Sequence, residues 1–128
     1  MANILLLEPD AGLADSYAQA FAEADHQVFW RTDAQAALAV IDDHAPALVV
    51  LEFHLPKHNG VEFLYEIRSY PDCDDIPVLL HTNVPQDHPG IGRDYWPQLG
   101  IHDYLYKPET SLDELVKRAL GLMTPAGV

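Results

Sequence analysis

The sequence predicts an α/β fold in which a parallel β-sheet is covered by helices on both faces. Two patterns carry that prediction. Short unbroken apolar runs, above all Ile4-Leu5-Leu6-Leu7 and Leu48-Val49-Val50-Leu51, read as strands buried on both sides. Between such runs, apolar residues recur at helical spacing, and this alternation builds a parallel sheet through right-handed crossovers. With 128 residues the chain is long enough for one sizeable core, and its 48% apolar content excludes a disordered composition.

The first strand, Ile4 to Leu7, ends at Glu8-Pro9-Asp10. Leu13, Tyr17, Ala20, Phe21 and Ala24 then form the apolar stripe of a helix. Val28-Phe29-Trp30 is a second, shorter strand. Thr32 or Asp33 caps the next helix, whose stripe is Ala34, Ala37, Leu38 and Ile41. Pro46 stops it, because proline disfavours helical backbone in the residue before it. Leu48 to Leu51 is the third strand and Phe53 to Gly60 a loop. Val61, Phe63, Leu64 and Ile67 mark a third helix, which Pro71 ends, and the acidic stretch Asp72 to Asp75 is a surface connection. Val78-Leu79-Leu80 is the fourth strand. Pro85, Pro89, Gly90, Gly92 and Pro97 make a regular fourth helix unfavourable, so that helix is expected to be short, displaced or confined to the stretch from Arg93 to Leu99. Tyr104-Leu105-Tyr106 is the fifth strand. Thr110-Ser111 with Asp113 and Glu114 forms overlapping capping boxes for a last helix with stripe Leu112, Leu115, Val116, Ala119 and Leu120. Residues 1–122 are expected to make one domain and 123–128 a flexible tail.

Composition narrows the function classes. No apolar run approaches the roughly 20 residues of a membrane span. The N-terminus lacks the basic and long apolar stretches of a secretory leader, and the single cysteine, Cys73, cannot form an internal disulfide. A cytoplasmic location is the expectation. A net charge of −13 repels a phosphate backbone, so the expected partner is another protein and neither nucleic acid nor membrane.

The residues that follow the strands form a constellation. Glu8 ends the first strand, Glu52 the third, Thr82 the fourth and Lys107 the fifth. A parallel sheet places function beyond the carboxyl ends of its strands, so two carboxylates, a hydroxyl and an ammonium converge there if the sheet forms. The segment Glu52-Phe53-His54-Leu55-Pro56-Lys57-His58-Asn59-Gly60 resembles the phosphoacceptor motif of response-regulator receiver domains, in which an aspartate precedes x-x-Leu/Met-Pro-x-x-Asp/Asn-Gly. Pro77 to Thr82 is similar to the fourth-strand motif of that family, and Gly100 to Pro108 to its fifth-strand motif with an aromatic residue and Lys-Pro. The resemblance runs from about Asn3 to Leu120. It implies a flavodoxin-like (βα)5 fold with strand order 2-1-3-4-5 and a role in two-component signalling. It also implies that Thr82, Tyr104 and Lys107 are the switch and phosphate-binding residues, and that carboxylates near Glu8 hold Mg²⁺ in the family while the lysine and hydroxyl bind phosphoryl oxygens.

Three residues depart from the family pattern at the reaction centre. Glu52 stands where the acceptor aspartate is expected, one methylene longer, and a misplacement of ~1 Å can cost about a hundredfold in transfer. Pro9 replaces the second acid of the pair, leaving Glu8 and Asp10 as the acidic residues of the pocket, with Asp10 one residue further on and expected to point elsewhere. Asn83 replaces a small residue. Glu8, Glu52 and the His54 carbonyl can offer oxygens to a divalent ion, but Mg²⁺ demands near-octahedral geometry, so no cofactor is expected beyond weak Mg²⁺ binding. Lys107 then pairs with Glu52, in a contact that imitates the activated state or is an inert remnant.

The leading expectation is therefore an atypical, non-enzymatic receiver that works by phosphorylation-independent protein–protein interaction. Its partner is a histidine kinase, an effector domain or a second copy, engaged through the stretch from Val84 to Gly100 with Tyr104 and the last helix. A conventional phosphoryl-accepting receiver in a phosphorelay is the first alternative. A metal or small-ligand sensor at the same cleft is the second, prompted by His54, His58, His81 and His88 in segments near Glu8 and Glu52. Cys73 has no basic neighbour to activate it, and Tyr95 and Trp96 serve as packing or as partner anchors.

Overall fold

The computed structural model describes residues 2–55, 60–70, 75–85 and 96–123. Its elements run β1 (Asn3–Leu7), α1 (Ala11–Glu23), β2 (Gln27–Arg31), α2 (Ala34–His44), β3 (Leu48–Leu51), α3 (Gly60–Arg68), β4 (Val78–Thr82), α4 (Trp96–Leu99), β5 (Ile101–Tyr106) and α5 (Leu112–Met123), with a 3₁₀ turn at Lys107–Glu109 before α5. The strands make one parallel sheet in the order β2-β1-β3-β4-β5, as expected.

The sheet divides the apolar residues by parity. In β1, Leu5 and Leu7 face one side and Ile4 and Leu6 the other; in β3, Val49 and Leu51 oppose Leu48 and Val50. One core forms against α2, α3 and α4, with Val40, Phe63, Leu64, Ile67 and Leu99. The other forms against α1 and α5, with Ala14, Tyr17, Phe21, Leu115 and Ala119. Each fully buried leucine or isoleucine contributes roughly 1.5–3 kcal/mol, and a strand buried on both faces collects that gain at every position.

Side chains mark the helix starts. Asp10 accepts from the Leu13 N–H at 3.1 Å, Asp33 from the Ala36 N–H at 2.8 Å and Ser111 from the Glu114 N–H at 3.1 Å. At the end of α2, Ala45 takes a left-handed conformation (φ 43°), the α region being disfavoured before Pro46.

Four details differ from the sequence-based expectations. β5 begins at Ile101, three residues earlier than Tyr104. Val78 pairs with Ile101 but Leu79 with Asp103, so His102 is the extra residue of a bulge. That bulge lets Ile101 and Tyr104, which alternation would send to opposite faces, enter the same core. In α1 the buried small residue is Ala14, while Leu13, Ala20 and Ala24 are only half-buried. Leu112 lies in the first turn of α5 and is 37% exposed. α5 also runs one residue past the expected boundary at 122; residues 124–128 of the expected tail lie outside the described part, as do 71–74 with Cys73.

Gly100 joins α4 to β5 with φ 72°, a conformation that costs other residues about 1–2 kcal/mol. A Cβ there would lie 2.0 Å from the Arg68 guanidinium, which donates to the carbonyls of Leu99 and Ile76 at 3.0 and 2.7 Å. Gly121, inside α5, has open space instead. Gly100→Ala should lower stability by about 2 kcal/mol, and Gly121→Ala should raise it by about 0.5–1 kcal/mol. Urea midpoints at unchanged slope measure both; equal effects of the two would refute the account of the Gly100 turn.

Candidate functional site

At the carboxyl edge of the sheet the side chains that follow the strands turn inward. Glu8 follows β1, Glu52 follows β3, Thr82 closes β4 and Lys107 follows β5. Glu8, Glu52 and Thr82 are 1%, 5% and 0% exposed, which only a complete set of partners makes tolerable.

Lys107 supplies most of them. Its Nζ lies 2.5 Å from Glu8 Oε1 and 2.9 Å from Glu52 Oε1. Glu8 Oε2 accepts from the Asp10 N–H at 3.2 Å. Glu52 Oε2 accepts a short hydrogen bond from the Thr82 hydroxyl and a second from the His54 N–H at 3.1 Å, while the Asn83 N–H approaches Oε1 at 3.4 Å. All four carboxylate oxygens therefore have donors.

The two carboxyls respond oppositely. Burial pushes the Glu8 carboxyl up, and the hydrogen bond and charge of Lys107 offset only part of that. Burial acts on Glu52 as well, but the bonds from Thr82, Lys107 and the His54 N–H outweigh it and hold the group below the usual carboxylate range. The number of donors accounts for the difference, although Lys107 stands nearer to Glu8.

From Glu52 a chain of hydrogen bonds runs to the edge of the sheet. Thr82 Oγ1 donates to Glu52 and accepts from the Val84 N–H at 3.1 Å, and the buried Tyr104 hydroxyl donates to the Val84 carbonyl. The carboxylate and the β5 aromatic thus belong to one connected network.

The other residues singled out from the sequence fall in different places. Asp10 is exposed and its carboxylate caps α1, so it does not join Glu8 in the pocket; a free N–H at the helix start is its nearest donor. Pro9 and Asn83 are exposed beside the pocket, and only the Asn83 backbone reaches Glu52. His54 is exposed. His81 is no loop residue: it lies in β4, buried against α1, with Nδ1 2.7 Å from the Tyr17 hydroxyl. His58, His88 and Tyr95 lie outside the described residues, as do the Trp96 side chain and most of the stretch from Val84 to Gly100. Among the described residues, no group of three or more His, Cys, Asp and Glu side chains is arranged to hold a metal ion.

Two features escaped the sequence reading. The Trp30 indole, at the end of β2, donates to the Glu8 carbonyl at 2.7 Å and props the loop that carries Glu8. The strand-end logic that led to Glu8 also applies to β2. The Tyr17–His81 pair was equally accessible, since residue parity in β4 puts His81 on the face of Leu79, against α1.

A family model described as the response regulator receiver domain matches residues 4–120. The chain belongs to that family. This receiver is 28% identical to the phosphate regulon transcriptional regulatory protein PhoB of Pseudomonas aeruginosa over 98% of the chain, and 30% identical to the transcriptional regulatory protein QseB of Haemophilus influenzae over 93%. It spans 53% and 54% of those proteins, about half the length of each. Solved structures share the fold: a CheY-like receiver domain protein from Methanospirillum hungatei superposes with TM-score 0.83 at 19% identity, covering 96% of this chain and 94% of the other. The receiver domain of a Francisella response regulator gives 0.80 at 24%, covering 96% and 97%. The receiver is thus a two-component signalling domain. No helix among its described residues is long and apolar enough to cross a membrane.

Removing the ammonium should be costly. Lys107→Met leaves two buried carboxylates without counter-charge, and stability at pH 7 should fall by about 3–5 kcal/mol, with part recovered when Glu8→Gln is added. Urea denaturation of the single and double variants measures this; a loss under about 1 kcal/mol would mean that the pocket is open to water.

His81 adds a pH dependence. Burial, aided by the Lys107 charge, pushes its imidazole down to about 4. Between pH 6.5 and 4 the unfolded chain binds a proton at this residue that the folded one refuses, so stability falls as pH falls through that window, by on the order of 3 kcal/mol. His81→Leu should flatten the urea-midpoint profile there relative to the parent. Parallel profiles would show that His81 does not carry the dependence.

Proposed function

We propose that this receiver transmits its signal by binding another protein without taking up a phosphoryl group, with Glu52 standing permanently in the place of the family's acceptor aspartate. The observation that carries this reading is the double engagement of one carboxylate: Lys107 bonds Oε1 and Thr82 bonds Oε2. Those are the two groups that, by the receiver resemblance, would otherwise bind phosphoryl oxygens. In-line transfer also depends on where the attacking oxygen stands, and both Glu52 oxygens are held in place by donors on β4 and after β5. A carboxylate carries less charge than a phosphoryl group, but it suffices to hold Lys107 and Thr82 in contact.

The network that continues through Val84 to Tyr104 supports an output face that includes β5, with α5 as the expected further part of it. A net charge of −13 favours a protein over nucleic acid as the direct partner. The partner is a histidine kinase, an effector domain or a second copy of the chain, met in the cytoplasm, and the domain works as a binding module and not as an enzyme.

Incubation with a small phosphodonor and Mg²⁺, read by intact mass, tests the reading. The parent should gain no phosphoryl mass. Glu52→Asp alone should accept phosphate poorly, because Pro9 still leaves one acid missing, and Glu52→Asp with Pro9→Asp should exceed the sum of the single variants. Rapid Mg²⁺-dependent modification of the parent at Glu52 would sink the proposal in favour of a conventional receiver.

A further inference from the structure

We propose that the ammonium of Lys107 is the resident cation of this pocket and excludes the divalent ion that the receiver family implies. The inference rests on the functional reading above, and it concerns a different event, the binding of a metal. Glu8 and Glu52 stand on neighbouring strands, and both direct Oε1 at a single Nζ, at 2.5 and 2.9 Å. An ion of charge +1 therefore already lies between the carboxylates, held by a covalent tether to the end of β5.

The remaining oxygens do not suit Mg²⁺, which takes six oxygen ligands at about 2.0–2.1 Å in near-octahedral array. Glu8 Oε2 faces the Asp10 N–H, and Glu52 Oε2 faces both the Thr82 hydroxyl and the His54 N–H. Hydrogens point at these oxygens where a cation would have to stand. The other nearby acid is spent elsewhere, since Asp10 caps α1. Pro9 has no donor atom on its side chain, and the Glu8 carbonyl already takes the Trp30 indole N–H. An ammonium suits this set where Mg²⁺ does not: it bonds through separate hydrogens at ordinary hydrogen-bond distances and imposes no octahedron. For a metal to enter, Lys107 must leave both carboxylates, and its charge must be accommodated in a pocket where its side chain is only 9% exposed.

The inference predicts competition between Lys107 and divalent ions, read by titrating Mn²⁺ into ¹⁵N-labelled protein and following paramagnetic broadening of backbone amides. No phosphodonor is present, so a failure here is separate from any failure of the phosphoryl reading. In the parent, millimolar Mn²⁺ should broaden exposed acidic positions at most, and leave the amides of Glu8, Glu52 and His54 no more affected than the rest. In Lys107→Met, the same amides should broaden first and selectively, and Mg²⁺ should raise the thermal midpoint of the variant but not of the parent. Lys107→Gln, which keeps a neutral donor, provides a second vacated pocket if Lys107→Met does not fold, and the parent titration needs no variant. Selective broadening at Glu8, Glu52 and His54 in the parent would overturn the proposal. So would folded Lys107 variants that bind Mn²⁺ there no better than the parent.

Discussion

The contact on which the rest of this domain depends is one ammonium between two buried carboxylates. β5 is separated from β3 by β4, and from β1 by β3 and β4, so Lys107 has to reach across the carboxyl edge of the sheet to meet Glu52 and Glu8. A long unbranched stem can do this. Two unit charges about 4 Å apart interact by roughly 4 kcal/mol where the effective dielectric constant is near 20, so two carboxylates on adjacent strands need a counter-charge to stay ionised. The tie also runs from β5 to β1, and so couples the geometry of the pocket to the assembly of most of the sheet.

A buried charge cluster is seldom retained for stability alone, because apolar residues of equal volume do at least as well. Its value here lies in specifying an arrangement. Glu52 makes bonds to a side chain on β4, a side chain after β5 and the backbone of its own loop, so displacing it unsettles three segments together. Thr82 passes the constraint on through Val84 to Tyr104, whose ring sits in the core shared with α3 and α4. The buried Val84 and the β5 strand are thereby connected to one carboxylate. On the reading proposed above, the same chain of contacts holds one conformation with no covalent modification, provided that the carboxylate keeps both of its donors.

Much of the fold was legible in the chain. Double-sided burial of a parallel strand leaves unbroken apolar runs, and caps such as Asp33 and Ser111 act within three residues of themselves, so both are written locally. The residues of the pocket were legible for a related reason: Glu8, Glu52 and Lys107 are each the first polar position at the end of an apolar run, Thr82 is the second after Leu80, and a parallel sheet gathers all such ends on one edge. Strand limits were less legible, because the His102 bulge that realigns Ile101 with Tyr104 depends on pairing with β4 and leaves no mark in β5 alone.

Pairings inside the pocket were decided by tertiary structure. Nothing in the sequence states that Lys107 serves Glu8 as well as Glu52, or that Trp30 supports the Glu8 carbonyl. These outcomes follow from competition among donors for a few acceptors at distances set by strand register, and from how completely each group loses water. His81 makes the same point: alone it is a histidine beside a threonine, while the packing of α1 onto β4 makes it a neutral, buried partner of Tyr17. The sequence by itself determined which residues stand at the edge of the sheet, since alternation and strand ends are short-range properties. Only the folded chain decided which of them touch, because desolvation and long-range contact exist nowhere else.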